Sequence, residues 1–293
     1  MSPADELLQS NGRLLRLATY ASVSVAITLI ILKTAAWFMT GSVSLLASLI
    51  DSIMDAAASL INLLAVRYSL MPADKEHRFG HGKAEALAGL AQSVFIAGSA
   101  TFVLIQGTDH LLHPQPLDAG YVGIGVMLFS IFLTLVLLAF QGHVIKRTNS
   151  SAIRADALHY RSDVLMNASV IVALVLANYG ILQADAVFGI GVALIIGFGA
   201  IQIGRDATHI LMDHELPTDV RQEALQLARA VPGVIDVHDL RTRQSGQQWF
   251  MQLHLELDGD LTLEVAHELG EEVRRAIETR FPQADVLVHK DPV

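Results

Sequence analysis

The sequence predicts an α-helical membrane protein with six transmembrane helices, followed by a small α+β domain of order αββαβ. Three observations carry this expectation. Of the 293 residues 52% are hydrophobic, with a mean hydropathy of +0.46, more than a water-soluble domain of this length carries. The apolar residues concentrate before about Asp213, in six stretches that approach the roughly 20 residues needed to cross a bilayer. After Asp213 the pattern changes to short amphipathic helix and strand periods. The chain is therefore divided into a transmembrane domain over 1–210 and a soluble C-terminal domain over 211–293.

The first span is placed at Leu17–Met39. The first residues, MSPADELLQSNGRLLRLATY, lack the basic-then-apolar-then-small order of a cleaved signal. This helix is expected to act as an uncleaved insertion signal. Lys33, within this span, lies near its outer end and is expected to snorkel to the interface. The second span, Ser44–Tyr68, carries Asp51 and Asp55; the third is Ala84–Asp109 and the fourth Ala119–His143. The fifth, Ala155–Asn178, carries His159 and Asp163. On the sixth, Ala184–Arg205, Gly189, Ala193 and Gly197 recur at intervals of four. That spacing fits close helix packing and ordinary membrane glycine usage equally.

Positive charge orients the spans. The N-terminus (Arg13, Arg16), the second connection (Lys75, Arg78, Lys83) and the fourth (Lys146, Arg147, Arg154) are basic. The other three, around TGSVS, HLLHPQPLDAG and NYGILQAD, contain no Lys or Arg. Both termini are therefore expected in the cytosol. A net charge of -9 argues against a nucleic-acid partner. The absence of cysteine excludes disulfides, thiolate zinc sites and thiol redox chemistry.

A charge at bilayer depth costs roughly 3 kcal/mol or more, so it normally faces a cavity or a partner. Asp51 and Asp55, like His159 and Asp163, are spaced by four, which puts each pair on one helix face. Turned toward each other, the two faces gather three carboxylates and an imidazole. Such a set suits zinc, cadmium, ferrous iron or manganese better than copper(I), magnesium or calcium. Metal must displace protons from these ligands, which couples the site to a proton gradient. Asp51 falls in the outer half of its span and His159 near the inner end of its own. The four meet only if the span boundaries shift or the fifth helix begins deeper in the cytosol. Ser59, Asn62 and Asn167 are read as supporting or packing residues.

In the second connection Asp74, His77 and His81 stand at i, i+3 and i+7, with Gly80 and Gly82 available for a turn. Their spacing fits a metal site and solvated loop histidines equally. In the tail, Pro217–Ala230 reads as an amphipathic helix with Thr218 as its cap, and Thr262–Phe281 as a second helix. GVIDVHDLRTR and QQWFMQLHLELD read as a hairpin, and ADVLVHKD as a last strand. If the hairpin pivots at Gly246, His238 and His254 fall opposite each other on one face. His289 and Asp291 share a face by the strand period of two, and His267 on the second helix can approach that strand.

DSIMD, HYRSD, PADKEHRFGHGKAE and the closing VHKDP together resemble the cation diffusion facilitator family, in its bacterial divalent-metal form. The resemblance covers essentially the whole chain. It implies that Asp51, Asp55, His159 and Asp163 form a tetrahedral transport site, with His159 marking zinc and cadmium members rather than manganese ones. It implies that Asp74, His77 and His81 bind a second zinc. The tail would be metallochaperone-like and hold two zinc ions bridged by Asp291. His238 and His254 would bind one ion and His267 and His289 the other, with Lys290 facing away. Members exchange cytosolic metal for protons as homodimers, so the expectation is a zinc exporter of the bacterial inner membrane, with cadmium or ferrous iron as further cargoes. Lys83 and Asp213 occupy matching positions at the membrane–tail junction, where a buried charge interlock and an exposed pair are both open. QGHVIKRTNSS, between spans four and five, is short and lacks the His-rich loop of many eukaryotic members. An enzyme is disfavoured, since no HExxH occurs and four protein ligands leave no open metal position. A channel is disfavoured because a four-ligand trap holds ions too long. The alternative is a membrane-anchored metal sensor with a static membrane site.

Overall fold

A computed structural model of the chain describes residues 3–41, 43–113, 121–177, 179, 181 and 183–293. Eight helices and three strands follow one another among them: α1 (Pro3–Thr40), α2 (Val43–Ser69), α3 (Lys83–Leu112), α4 (Tyr121–Thr148), α5 (Ser151–Ala177), α6 (Ala184–Leu211), α7 (Thr218–Arg229), β1 (Asp236–Ser245), β2 (Gln248–Leu257), α8 (Leu263–Arg280) and β3 (Ala284–Pro292). The first six helices are each long and apolar enough to cross a membrane. Ala119 and Asn178, expected as span ends, lie outside the described residues, as do parts of the three connections that lack Lys and Arg. Two compact units result. One holds Leu14–Tyr68 and Ala84–Thr208; the other holds the segment up to Arg13, Ser69–Lys83 and His209–Val293.

In the helical unit, large apolar side chains such as Phe102, Ile105, Phe132, Ile195, Phe198 and Ile201 are exposed on helix surfaces. Surface of that kind suits lipid rather than water. The helices meet through small residues. A Cβ added at Gly197 would meet the Ala100 methyl only at ordinary contact distance, as one at Gly189 would meet Val103, and Ile96 packs with Ile196 and Ala200. These positions of α6 thus pack against α3 with room for a methyl, which is no closer than ordinary helix contact.

The link from α4 to α5 fixes where α5 starts. Asn149 takes a left-handed φ of 49°, and its N–H donates to the Ile145 carbonyl at 2.8 Å, closing α4. Ser150 then caps α5, its hydroxyl accepting from the Ile153 N–H at 3.2 Å. The helix begins at Ser151 rather than Ala155, which lengthens its N-terminal end by roughly 6 Å at 1.5 Å per residue.

In the tail unit, β1 and β2 are antiparallel and β2 and β3 parallel, in the order β1-β2-β3. One sheet face presents Val237, Met251, Leu253, Leu255, Leu257 and Val286, which form a core with Ala224 and Ala228 of α7 and Val273 and Ile277 of α8. By the strand period of two, His254, Glu256, His289 and Asp291 face the other way. Thr262 caps α8 by accepting from Val265 N–H at 3.4 Å. Thr218, by contrast, is the first helical residue of α7 and not its cap. That position belongs to Pro217, which makes no side-chain cap bond and whose preset φ suits a helix entrance.

The hairpin turn holds two residues, Gly246 and Gln247, since Ser245 pairs with Gln248. Uninterrupted, that register would set Asp239 against His254. A bulge between His238 and Arg241 shifts it by one, and His238 pairs with His254. Asp239 absorbs the irregularity at φ 47°. The alignment is as expected, but the bulge produces it, not a pivot at Gly246.

Candidate metal centres

The membrane centre lies between α2 and α5. His159 Nε2 is 2.9 Å from Asp55 Oδ1 and 3.9 Å from Asp163 Oδ2. The three donor atoms lie within 4.8 Å of one another. His159 is buried. Its Nε2 is near a carboxylate yet makes no aligned hydrogen bond, an expensive state for a buried polar atom unless a further partner serves it. Two oxygens and one nitrogen converging on one point suit a borderline divalent ion. Asp51, one turn before Asp55, is exposed and stands outside this trio, although it interacts electrostatically with Asp55 and His159.

Polar residues inside the spans brace this centre. Asp156, fully buried three residues before His159, accepts hydrogen bonds from Ser22 Oγ (2.6 Å), Gln141 Nε2 (2.8 Å) and Gln92 Nε2 (3.4 Å). The knot ties α5 to α1, α4 and α3. Tyr160 donates to the Ser22 carbonyl at 3.1 Å, and its hydroxyl lies 3.0 Å from Ser59 Oγ on α2. Asn167 donates to the Asp163 carbonyl at 2.8 Å, a bond within α5 to its own backbone. Sequence reasoning missed Asp156. Its signal was a set of polar residues, Ser22, Gln92 and Gln141, within otherwise apolar spans.

Lys33 corrects an expectation. It does not snorkel outward: the side chain is buried, and Nζ donates to Ser52 Oγ at 2.6 Å and to the Ser48 carbonyl at 3.1 Å, both on α2. Two acceptors on the neighbouring helix and nearby carboxylates outweigh the interface as a partner for the ammonium.

The loop centre gathers Asp74, His77 and His81. Asp74 Oδ1 accepts from the N–H of His77 (2.6 Å) and of Glu76 (2.9 Å). These bonds, the first above all, hold its carboxyl below the ordinary aspartate range. His77 Nδ1 and His81 Nε2 each approach Asp74 to 3.3 Å, and the donor atoms again lie within 4.8 Å of one another. Gly80, at φ 75°, makes the turn. Gly82 is needed for a different reason: a Cβ there would strike the Ser245 backbone carbonyl. Phe79, from the same loop, and Phe250 hold the Arg243 guanidinium, at 4.6 and 4.4 Å from the ring centroids.

In the tail, Asp291 is the hub. Its Oδ2 is 2.8 Å from His254 Nδ1 and 3.4 Å from His238 Nε2, while Oδ1 is 3.2 Å from His289 Nε2. One carboxylate thus faces two histidines with one oxygen and a third with the other. The His254 hydrogen bond is the main cause holding the Asp291 carboxyl below its usual range. Glu256 Oε1, 3.5 Å from His238 Nδ1, also borders the cluster; its place two residues after His254 put it on that face, and sequence reasoning passed over it. Lys290 faces away, its side chain lying against Gly270 of α8. His267 does not join the others within this chain. It is exposed on α8, and α8 packs on the opposite face of the sheet from the three histidines.

At the junction, Lys83 Nζ is 2.9 Å from Asp213 Oδ1, with the side chains 34% and 45% exposed. Lys83 also donates to the Leu211 carbonyl at 3.3 Å, capping α6. The pair is half-exposed, not a buried interlock.

Residues 19–212 match the cation efflux transmembrane domain, and residues 216–293 match the cytoplasmic domain of cation efflux proteins. The chain is 52% identical over 281 residues to the cation-efflux pump FieF of Yersinia pestis (strain Pestoides F), covering 96% of this chain and 94% of that protein. The FieF pump of Yersinia pseudotuberculosis serotype IB (strain PB1/+) shows the same identity and coverage. Among solved structures, a nickel form of a MamM CTD variant is 28% identical, with a TM-score of 0.26, over 26% of this chain and 99% of that one.

Proposed function

This chain belongs to the cation efflux family, a family of multi-pass membrane transporters, and on that premise we propose that it is a homodimeric metal/proton antiporter exporting zinc from the cytosol. Cadmium and ferrous iron fit the same donors as cargo. The observation that carries this reading is the convergence of Asp55, His159 and Asp163 on one point between two membrane-length helices. Asp51 completes the ligand set as the fourth donor, one turn from Asp55 on the same helix. In the inward-facing state the four take the ion. Rocking of the helices turns the site outward, where protons displace the metal and permit the return. The protein sits in the bacterial inner membrane with both termini in the cytosol, the transmembrane domain spanning 1–210 and the cytosolic domain 211–293.

The loop and tail clusters are proposed as zinc sites on the cytosolic side. The donors fit: each trio combines two imidazoles and a carboxylate within 4.8 Å. Zinc there would favour one arrangement of the cytosolic parts by its binding energy, and so bias the membrane unit only insofar as its affinity differs between states. These clusters are also what favours the second reading, a membrane-anchored sensor with a static membrane site.

Reconstituted protein tests the antiport. Zinc entry into vesicles should rise with an imposed interior-acid gradient and collapse on adding a protonophore. Entry indifferent to the gradient would reduce the reading to uncoupled cation efflux, and no entry at all would favour the sensor.

A further inference from the structure

Lys33 is a buried cation for which the cargo ligands leave no task. A lysine in a span ordinarily reaches for the headgroups; this one reaches inward, to the Ser52 hydroxyl and the Ser48 carbonyl of α2. The charged groups acting on it are Asp51 and Asp55 from α2 and Asp163 from α5, the last 3.9 Å from His159. Around it on α1, Leu32, Ala36 and Trp37 pack with Leu45 of α2 and Val126 of α4 and bring no further charge.

Building on the transport reading above, we propose that Lys33 is the resident counter-cation of the membrane site, a fixed charge that matches the site to a divalent ion. Three carboxylates and one ammonium leave two net negative charges. A divalent ion then makes the loaded site neutral. Without Lys33 the loaded site would keep a negative charge in a medium of low dielectric, where it is costly. The ammonium also repels the cargo, weakening its hold and speeding release.

The test is zinc flux through the reconstituted full chain, measured over a range of zinc concentrations. Lys33→Met and Lys33→Gln remove the charge, the second keeping amide donors for Ser48 and Ser52; Lys33→Arg keeps the charge. Both neutral variants should lower the half-saturating zinc concentration by about tenfold and reduce the maximal rate. Lys33→Arg should keep the wild-type half-saturation. Neutral variants with wild-type half-saturation, or neutral and Arg variants impaired alike, would overturn the proposal and leave Lys33 a packing residue. Wild-type protein without flux would instead overturn the transport reading.

Discussion

Asp156 accepts hydrogen bonds from Ser22, Gln141 and Gln92 with no exposure to solvent, and so fastens the helix that carries His159 to three neighbours. Removing the carboxylate strands its donors. Asp156→Ala should destabilise the helical unit by about 2–4 kcal/mol, read as a lowered thermal midpoint of the detergent-purified protein; an unchanged midpoint would mean that the knot holds nothing. Asp74 and Asp291 carry a pH prediction. Both carboxyls are depressed, by the His77 N–H and by His254 respectively. Their favourable interactions are therefore complete above the ordinary aspartate pKa of about 3.9 and are lost only as pH falls through the lower folded values. Titrating the metal-free protein with acid checks this: the loop and tail should keep these carboxylate contacts down to about pH 4, and their loss at higher pH would contradict it. Residue identity was legible in the sequence where chemistry forced it, as with charges at bilayer depth. Lys33 was not, because its direction depends on which acceptors lie on the neighbouring helix.

The element that most affects the membrane centre is α5, which is capped by Ser150, starts at Ser151 and sets His159 against Asp55. Its signal was present, an Asn that can close one helix followed by a Ser that can open the next, but hydropathy alone placed the start at the first long apolar run. The β1 bulge had no such signal. Asp239 at φ 47° is a conformation that only the register of the surrounding ladder imposes, yet it decides that His238 faces His254. The loop preceding α3 offers a cleaner test. Gly82→Ala sets a Cβ against the Ser245 backbone, where no flexible side chain can yield. It should cost about 1–3 kcal/mol and open Ser69–Lys83 to proteolysis, without altering the membrane donors. Cleavage no faster than in wild type would show that the loop tolerates the contact.

At the scale of the molecule, six membrane helices and the αββαβ tail were readable because helix length and strand period are strong signals, and both recur among the described residues. Where His267 points was not readable, since it depends on which sheet face receives α8. Metal should join these parts energetically. With zinc at 100 times its dissociation constant a site stabilises its folded state by about 2.7 kcal/mol. Chelation should therefore lower the thermal midpoint of the tail unit, while His254→Ala protein should show a smaller response to chelator. Equal responses would place the stabilising metal elsewhere. The claim on which the rest depends is that Asp55, His159 and Asp163 hold the cargo. Zinc flux into acid-loaded proteoliposomes tests it most directly, comparing wild type with Asp55→Ala and with the loop variant His77→Ala. The account predicts flux abolished by Asp55→Ala and retained by His77→Ala; an Asp55→Ala protein that transports like wild type would contradict it.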